Sequence, residues 1–215
     1  MHMTMEREMT SNEATTSASR MASASDEVNH RVANQLQLIA ALISAEARTI
    51  ADSGTLGVLE RMRQRVVAVG AVHRQLYIGS RSEVDLGEYL EDLAEQRSCT
   101  CGPHRQVKID ADTVPVTANV ATAFGILATE LVTNACKHAY GAEEPGDIFV
   151  LLRRRSDGAY RFAVEDRGRG RGDGTAGRQA GLGSRLIHAT VAKLGATAVW
   201  EDARPGTRFR TDVRF

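Results

Sequence analysis

Two long segments with helical apolar spacing, separated by the polar break at residues 52–54, constrain the fold more than any other sequence feature. Their apolar side chains recur every three or four residues, which is the period of one helix face. They are Val32, Leu36, Ile39 and Ile43 before the break, and Leu59, Met62, Val66, Val69 and Leu76 after it. We therefore predict a helical hairpin over residues 26–80. Its apolar side is half covered, so we expect either a homodimer that completes a four-helix bundle or packing against the rest of the chain.

The remainder of the chain alternates between helical and strand-like periodicity. Helices are predicted at 86–96, 117–140 and 182–194, and strands at 106–110, 147–153, 160–165, 197–201 and 207–213. This order indicates an α/β sandwich over residues 81–215, with helices on one face of a sheet, and an α+β class for the whole chain. Residues 1–25 are rich in Ser, Thr, Ala and Met without an apolar period, so a disordered tail is predicted there.

The charge balance bears on the class of partner. Lysine and arginine together number 27, as do aspartate and glutamate, so the formal net charge is zero. Nucleic-acid binders normally carry a basic excess, so we expect no nucleic-acid partner. The Arg-Gly run over residues 167–172 leaves RNA contact open as an alternative.

The sequence also indicates a compartment. It has neither a signal peptide nor a run of about 20 apolar residues, so we expect no membrane association and a cytoplasmic location. The odd number of cysteines, Cys99, Cys101 and Cys136, fits thiols in a reducing compartment. Cys99, Cys101 and His104 are too few for a structural zinc site, which needs four ligands.

Three groups of residues have the composition of a reactive or binding site. His30 projects away from the apolar stripe of its helix, and Asn34 lies one turn further on, within reach of the imidazole. A neutral imidazole is a competent nucleophile near neutral pH, although an exposed helical histidine is more often only solvated.

The second group repeats along one helix face. Glu130, Asn134 and His138 are spaced four residues apart, and their carboxylate and amide oxygens suit Mg²⁺. A polar, solvated helix face is the alternative interpretation.

The third group follows a predicted strand. An acid at the end of a strand, here Asp166, can accept a hydrogen bond from an adenine amino group, and Gly168 and Gly170 allow close backbone approach. Gly181 and Gly183 flank the predicted start of a helix, where backbone N–H groups bind phosphates. Each glycine pattern taken alone is also compatible with a plain turn.

Together and in this order, the motifs resemble the sensor histidine kinases of the HWE-related branch, whose H-box reads H-R-x-x-N. Residues 27–37 resemble that H-box, 67–77 the end of the second hairpin helix, and 130–138 the N-box. Residues 166–170 and 181–183 resemble the two glycine boxes. The resemblance implies a dimerisation and phosphoacceptor hairpin, followed by a Bergerat-type ATP-binding domain of the GHKL superfamily.

The resemblance also implies roles for residues. His30 would accept the γ-phosphoryl group of Mg·ATP and pass it to an aspartate of a response-regulator receiver domain. Arg31 would stabilise phosphate charge beside Asn34, while Asn134 and Glu130 would hold Mg²⁺, with Glu130 alternatively polarising the imidazole. The nucleotide would contact Lys137, His138, Asp166, Gly168, Gly170, Gly181, Leu182 and Gly183.

Three departures from the family pattern leave alternatives open. Ala33 stands where lysine is usual, Arg167 stands where asparagine is usual, and the W-x-E signature of strict HWE kinases is absent. A histidine phosphotransferase with a degenerate ATP-binding domain is therefore the main alternative. A protein-serine kinase of the anti-sigma type is a third, although that class does not need the hairpin.

Overall fold

The computed structural model describes residues 27–79, 83–98, 101, 104–141, 143–170 and 182–215. The predicted tail and Gly181 lie outside these ranges. Within them the chain forms five helices: α1 (27–47), α2 (Ser53–Gly79), α3 (Leu86–Ser98), α4 (Ala118–His138) and α5 (Leu182–Lys193). The seven strands are β1 (Val84–Asp85), β2 (Val107–Ala111), β3 (Pro115–Val116), β4 (Ile148–Arg154), β5 (Tyr160–Asp166), β6 (Val199–Asp202) and β7 (Thr207–Val213).

Helices α1 and α2 form the predicted hairpin, and the polar break is the turn between them. Asp52 begins α2, because its Oδ2 accepts hydrogen bonds from the backbone N–H of Thr55 at 2.7 Å and from its hydroxyl at 2.6 Å. The hydroxyl bond, followed by the backbone bond, lowers the pKa of the Asp52 carboxyl. A capping carboxylate therefore sets the start of the second helix.

The packing of the hairpin differs from the predicted apolar stripe. Ala33 and Ala40 are the buried apolar residues of α1, whereas Ile39 is 44% exposed and Met62 of α2 is 47% exposed. The buried side chains of α2 pack on the rest of the chain; they are Ala68, Ala71, Val72 and Leu76, of which Leu76 belongs to the predicted stripe. The periodicity identified the helices correctly, and most of the predicted stripe is half-buried: Val32, Leu36 and Ile43 of α1, and Leu59, Val66 and Val69 of α2.

A five-stranded sheet has the order β2-β4-β5-β7-β6. Strands β2 and β4 are parallel, and the remaining neighbours are antiparallel. All five were predicted within a few residues. A separate antiparallel pair, β1 with β3, was missed, since two-residue strands are too short to show a period of two.

The hydrophobic core lies between one face of the sheet and helices α2 to α5. Its largest buried side chains include Tyr89, Phe124, Phe162, Leu127 and Ile187. The opposite face of the sheet carries cross-strand ion pairs, among them Arg161 with Asp212, Arg208 with Glu165 and Arg210 with Glu201. The α+β class, with a helical N-terminal region and a mixed sheet, is confirmed. None of the helices in the described ranges combines the length and hydropathy that a bilayer-crossing segment needs.

Candidate functional site

His30 lies on the solvent side of α1, as predicted. Its ring is exposed, and Asn34 Nδ2 is 3.4 Å from both ring nitrogens. Arg31, the next residue, is also exposed and pairs with Glu27 one turn earlier, with 2.6 Å between Arg31 Nη2 and Glu27 Oε1. The α1 surface therefore presents an imidazole, an amide and a guanidinium together to solvent.

Ala33 stands on the other side of the same helix. It is 5% exposed, and a Cβ added at Gly70 of α2 would lie 3.9 Å from its carbonyl oxygen. Ala33, which stands where lysine is usual in the family pattern, therefore lies in the interface between α1 and α2.

A contact between the hairpin helices close to His30 was not predicted from the sequence. His73 Nδ1 of α2 lies 3.2 Å from Oδ1 of Asn29, the residue before His30. Partial burial lowers the pKa of the His73 imidazole, which favours the neutral ring. This contact connects the start of α1 to the later part of α2.

The polar row on α4, formed by Glu130, Asn134 and His138, does not lie on a single solvent-exposed face. Glu130 is 1% exposed, Asn134 is half-buried, and His138 is exposed. A step of four residues in an α-helix advances by about 40°, so the row turns from the α2 interface towards solvent over two turns. Lys137 is exposed too, but partial desolvation of its ammonium and then the nearby charge of Arg61 lower its pKa.

Glu130 forms a buried polar contact between α2 of the hairpin and α4. Its Oε1 accepts a hydrogen bond from Arg65 Nε of α2 at 2.7 Å, and Thr133 donates to Gln64 at 3.1 Å beside it. The second oxygen, Oε2, is buried without a hydrogen-bond partner among the described residues. A Cβ at Gly183, next to the start of α5, would lie 2.8 Å from this oxygen. No local sequence pattern indicated the Arg65 contact.

The contact between Arg65 and Glu130 and the phosphoacceptor candidate His30 lie at different positions along the axis of the hairpin, here called heights. Arg65 precedes His73 by eight residues on α2, which corresponds to about 12 Å along a helix axis. His73 marks the height of His30, because it contacts the adjacent Asn29. The arrangement thus groups Glu130 with Arg65 and Gly183, and groups His30 with Asn34 and Asn29.

Asp166 ends β5 and is 8% exposed. Its Oδ1 accepts hydrogen bonds from the backbone N–H of Gly168 at 3.0 Å and of Thr207 at 3.3 Å. Burial raises the pKa of the Asp166 carboxyl, although both backbone hydrogen bonds act in the opposite direction. A buried acceptor at a strand end is the arrangement expected for recognition of an adenine amino group.

The first glycine box is packed against the end of α4. A Cβ at Gly168 would overlap the carbonyl oxygen of Ala139, and that oxygen accepts a hydrogen bond from the Arg169 N–H at 2.8 Å. Gly170 has a φ of 71°, a conformation that favours glycine. Only glycine fits at 168, since any side chain would collide with the α4 backbone.

Tyr140, Arg105 and Thr207 support this pocket and were not predicted. The Tyr140 hydroxyl accepts a hydrogen bond from the Arg167 N–H at 2.9 Å and donates one to the Asp147 carbonyl at 2.8 Å. The Arg105 guanidinium lies 5.7 Å from the Tyr140 ring centroid. The available sequence signal was the Pro-Gly pair at 205–206, which bends the chain before Thr207.

The side chain of Arg167 points to the other side of the sheet. Its guanidinium lies 4.8 Å from the ring centroid of Phe149, a residue that alternates with the buried Ile148 and Val150 of β4. Arg167, which replaces the usual asparagine, therefore stacks on the outer face of the sheet, and its side chain points away from Asp166.

The residues fit a Mg²⁺–nucleotide in composition. Within the described ranges, no group of three or more His, Cys, Asp and Glu side chains could hold a metal ion. Mg²⁺ typically takes one or two protein oxygens and completes its shell with phosphate and water. The orphaned Glu130 Oε2 and the half-buried Asn134 supply such oxygens.

Two family models match the chain. One, described as histidine kinase, covers residues 27–99, and the other, described as histidine kinase-like ATPase domain, covers residues 105–205. The first spans the hairpin and α3, and the second spans the glycine box and most of the sheet.

Individual proteins are similar over the same region. Blue-light-activated histidine kinase 2 of Erythrobacter litoralis is 29% identical over 194 residues, which is 87% of this chain and 56% of that protein. Sensor histidine kinase PdtaS of Mycobacterium tuberculosis is 28% identical over 183 residues, or 83% of this chain and 36% of that protein. This chain thus spans about half of the first of these curated relatives and about a third of the second.

A solved structure has the same arrangement. The histidine kinase domain of the Erythrobacter litoralis EL346 blue-light-activated histidine kinase superposes with a TM-score of 0.65 at 26% identity, covering 89% of this chain and 93% of that one.

Proposed function

Because this chain belongs to the histidine kinase family, in the HWE-related branch of the GHKL superfamily, we propose that it is an ATP-dependent protein-histidine kinase. It phosphorylates His30 and transfers the phosphoryl group to an aspartate of a response-regulator receiver domain. The observation that carries this proposal is the exposed His30–Asn34 pair on α1, combined with the buried Asp166 beside a glycine box. His30 is accessible to a reaction partner, and the hydrogen bonds to Asp166 hold its carboxylate in place for binding.

The proposed functions of the two domains follow the two regions that the family models match. Residues 26–80 act as the dimerisation and phosphoacceptor domain, and residues 81–215 bind ATP. We place the protein in the cytoplasm as a homodimer. Support for a dimer comes from the large apolar side chains exposed on the hairpin: Val28, Leu38, Ile39, Leu42, Val58 and Met62.

The proposed mechanism depends mostly on positioning. Asp166 accepts the adenine amino hydrogen bond, Gly168 and Gly170 shape the loop beside the nucleotide, and the start of α5 with Gly183 holds the phosphates. Asn134 and Glu130 would hold Mg²⁺, which would neutralise phosphate charge when bound. An imidazole nitrogen of His30 attacks the γ-phosphorus as the bond to the β-phosphate oxygen breaks.

Several side chains around the reacting groups orient the His30 ring or screen the charge of the phosphate. Asn34 holds the His30 ring, and the Arg31 guanidinium screens the transferred phosphate. Lys137 and His138 lie at the exposed end of the α4 row, where they reach the phosphates. Leu182 is assigned to the same pocket from its place in the second glycine box.

Glu130 is engaged by Arg65 about 12 Å along the helix from the height of His30. We therefore propose that transfer within one protomer opens the contact between α2 and α4.

Labelling with γ-radiolabelled Mg·ATP tests the proposal. Wild type should become labelled, His30→Gln should lose the label, and the control His188→Gln, an exposed histidine of α5, should retain it. Labelling of His30→Gln at the wild-type level would rule out His30 as the acceptor.

The main alternative is a histidine phosphotransferase that no longer uses ATP. It is favoured by the burial of Glu130 against Arg65, which occupies one oxygen of a proposed metal ligand. Calorimetric titration with Mg·ATP separates the two. Binding at micromolar concentration supports the kinase, and absence of binding at millimolar concentration supports the phosphotransferase.

A further inference from the structure

Cys101 and Cys136 are joined by a disulfide bond, with 5.3 Å between their Cα atoms. Unpaired thiols were predicted from the sequence, and the pairing was missed because the two residues are separated by 35 positions. Cys101 is 7% exposed in the core next to α4, whereas Cys136 of α4 is only partly buried. We propose that this pair is an oxidation-sensitive dithiol that sets the affinity of the nucleotide site, with hydroperoxides as its oxidant class.

The location of Cys136 connects the pair to the proposed nucleotide site. Cys136 follows Asn134 by two residues on α4, and Arg105 Nη1 donates to its carbonyl oxygen at 2.7 Å. Arg105, four residues after Cys101, also binds the carbonyl oxygens of Gly141 and Glu144. The disulfide and Arg105 therefore both contact the end of α4.

The end of α4 in turn supports the first glycine box. Ala139 accepts the Arg169 N–H at 2.8 Å, and the Tyr140 carbonyl oxygen accepts a hydrogen bond from the Arg169 side chain at 2.9 Å. The Tyr140 hydroxyl accepts the Arg167 N–H at 2.9 Å, directly after Asp166. A covalent bond that restrains α4 at Cys136 thus restrains the backbone that positions the Asp166 carboxylate.

The redox step balances with one hydroperoxide. The thiolate of Cys136, the more exposed of the pair, attacks one peroxide oxygen and forms a sulfenic acid, while the other oxygen leaves as hydroxide and is protonated to water. The Cys101 sulfur then displaces the sulfenic oxygen, which leaves as a second water after taking up a proton. Two thiols and one hydrogen peroxide give one disulfide and two waters. A dithiol reductant returns both thiols by exchange.

The oxidised form should bind nucleotide better, since its pocket is already ordered. We expect reduction to raise the Kd for Mg·ATP by about threefold or more, because ordering of the pocket then accompanies binding. Reduction should also lower the melting temperature of the nucleotide-free protein by about 5 °C or more, because the crosslink restricts the unfolded chain.

The test uses the full chain in peroxide-oxidised and dithiol-reduced forms. Free thiols are alkylated, the disulfide is identified by peptide mass spectrometry, and Mg·ATP affinity is measured by calorimetry. Wild type should form the Cys101–Cys136 crosslink and show the affinity change, and Cys99→Ser is the matched control that should do the same. Cys101→Ser and Cys136→Ser should bind with the reduced affinity under both conditions.

The inference would be overturned by the absence of a crosslink, by a Cys99 crosslink in its place, or by equal affinities in the two forms. A disulfide that resists millimolar glutathione would also overturn it, because the bond would then be structural. The inference rests on the proposed ATP binding, and the outcomes are separable. Absence of binding in both forms refutes the proposed function and the redox coupling together, whereas equal binding refutes the redox coupling alone.

Discussion

The exposed surface of α1 around His30 and the buried surface of α4 around Glu130 have opposite environments. Arg31 and Glu27, beside His30, have side chains 73% and 63% exposed, whereas Glu130 is 1% exposed and its partner Arg65 is 19% exposed. His30 must be accessible, because it is proposed to react with a nucleotide and then with a response regulator. Residues that hold a nucleotide bind it more tightly when they are already ordered in the free protein. Substitutions on α1 should therefore change reaction rate, and substitutions around α4 should change stability and binding.

The largest expected effect is on stability at the α4 surface. Arg65→Leu leaves the Glu130 carboxylate buried without its ion-pair partner, so the free energy of unfolding in urea should fall by about 3 kcal/mol. The matched control is Arg63→Leu, whose partner Glu60 lies on the same helix. Because that pair is more exposed, the control should lose about 1 kcal/mol or less.

A double variant checks that the cost comes from the unpaired charge. Arg65→Leu combined with Glu130→Leu removes both charges, and should recover most of the stability that Arg65→Leu loses. Equal losses in Arg65→Leu and Arg63→Leu would show that the α2–α4 contact is not a buried ion pair in solution.

The second effect separates binding from stability at Asp166. Asp166→Asn removes the charged acceptor for adenine, so the Kd for Mg·ATP should rise by about 30-fold in calorimetry. Asparagine keeps an oxygen that can accept the Gly168 and Thr207 N–H groups. An unchanged Kd would mean that adenine is recognised elsewhere.

The pH dependence of the same variant has a defined sign. Burial holds the pKa of Asp166 above its ordinary value of 3.8, so the folded protein binds a proton more tightly than the unfolded chain. Stability therefore falls as pH rises from 3.8 through the folded-state pKa. Asp166→Asn should remove this fall and leave the nucleotide-free protein at least as stable as wild type at neutral pH.

The third effect lies on the exposed surface of α1. Arg31→Ala should slow His30 phosphorylation by about fivefold, because one charge-assisted contact to phosphate is lost. The free energy of unfolding of Arg31→Ala should stay within about 0.5 kcal/mol of wild type, because the ion pair between Arg31 and Glu27 is exposed. Glu27→Ala removes the same pair from the other end, so it should leave the phosphorylation rate unchanged. Equal rate losses in both variants would assign the effect to the ion pair.

The smallest effect concerns His73, which lies between the two environments. Its pKa is below the ordinary value of 6.5 because the ring is partly buried, so the unfolded chain binds the proton more readily. Stability should decrease as pH falls below 6.5 towards the folded-state pKa. His73→Gln should flatten this decrease relative to wild type in urea unfolding followed on both sides of pH 6.5.

The same contrast explains what could be predicted from the sequence. The exposure of His30 and its contact with Asn34 follow from helix geometry within a single segment. The burial of Glu130 depends on Arg65, which is 65 residues away, and no local period encodes that pairing. The periodicity left open whether α2 packs on a partner or on the rest of the chain, because alanines at 68 and 71 are weak signals of a core position although both are buried.

The nucleotide pocket shows the same division. Asp166 and its glycines were identified as a local motif, and the structure brings them together at the end of β5. Tyr140, Arg105 and Thr207 come from three other segments and were invisible to a motif search. Local spacing thus predicted the groups proposed for chemistry, and tertiary packing determined the groups that support them.

Mapping the phosphorylated residue tests the central claim most directly. The full chain is incubated with Mg·ATP, digested at alkaline pH to preserve phosphohistidine, and analysed by tandem mass spectrometry. We predict an acid-labile phosphoryl group on the peptide that contains His30. An acid-stable phosphate on serine or threonine, or a phosphohistidine at His73 with His30 unmodified, would contradict the account.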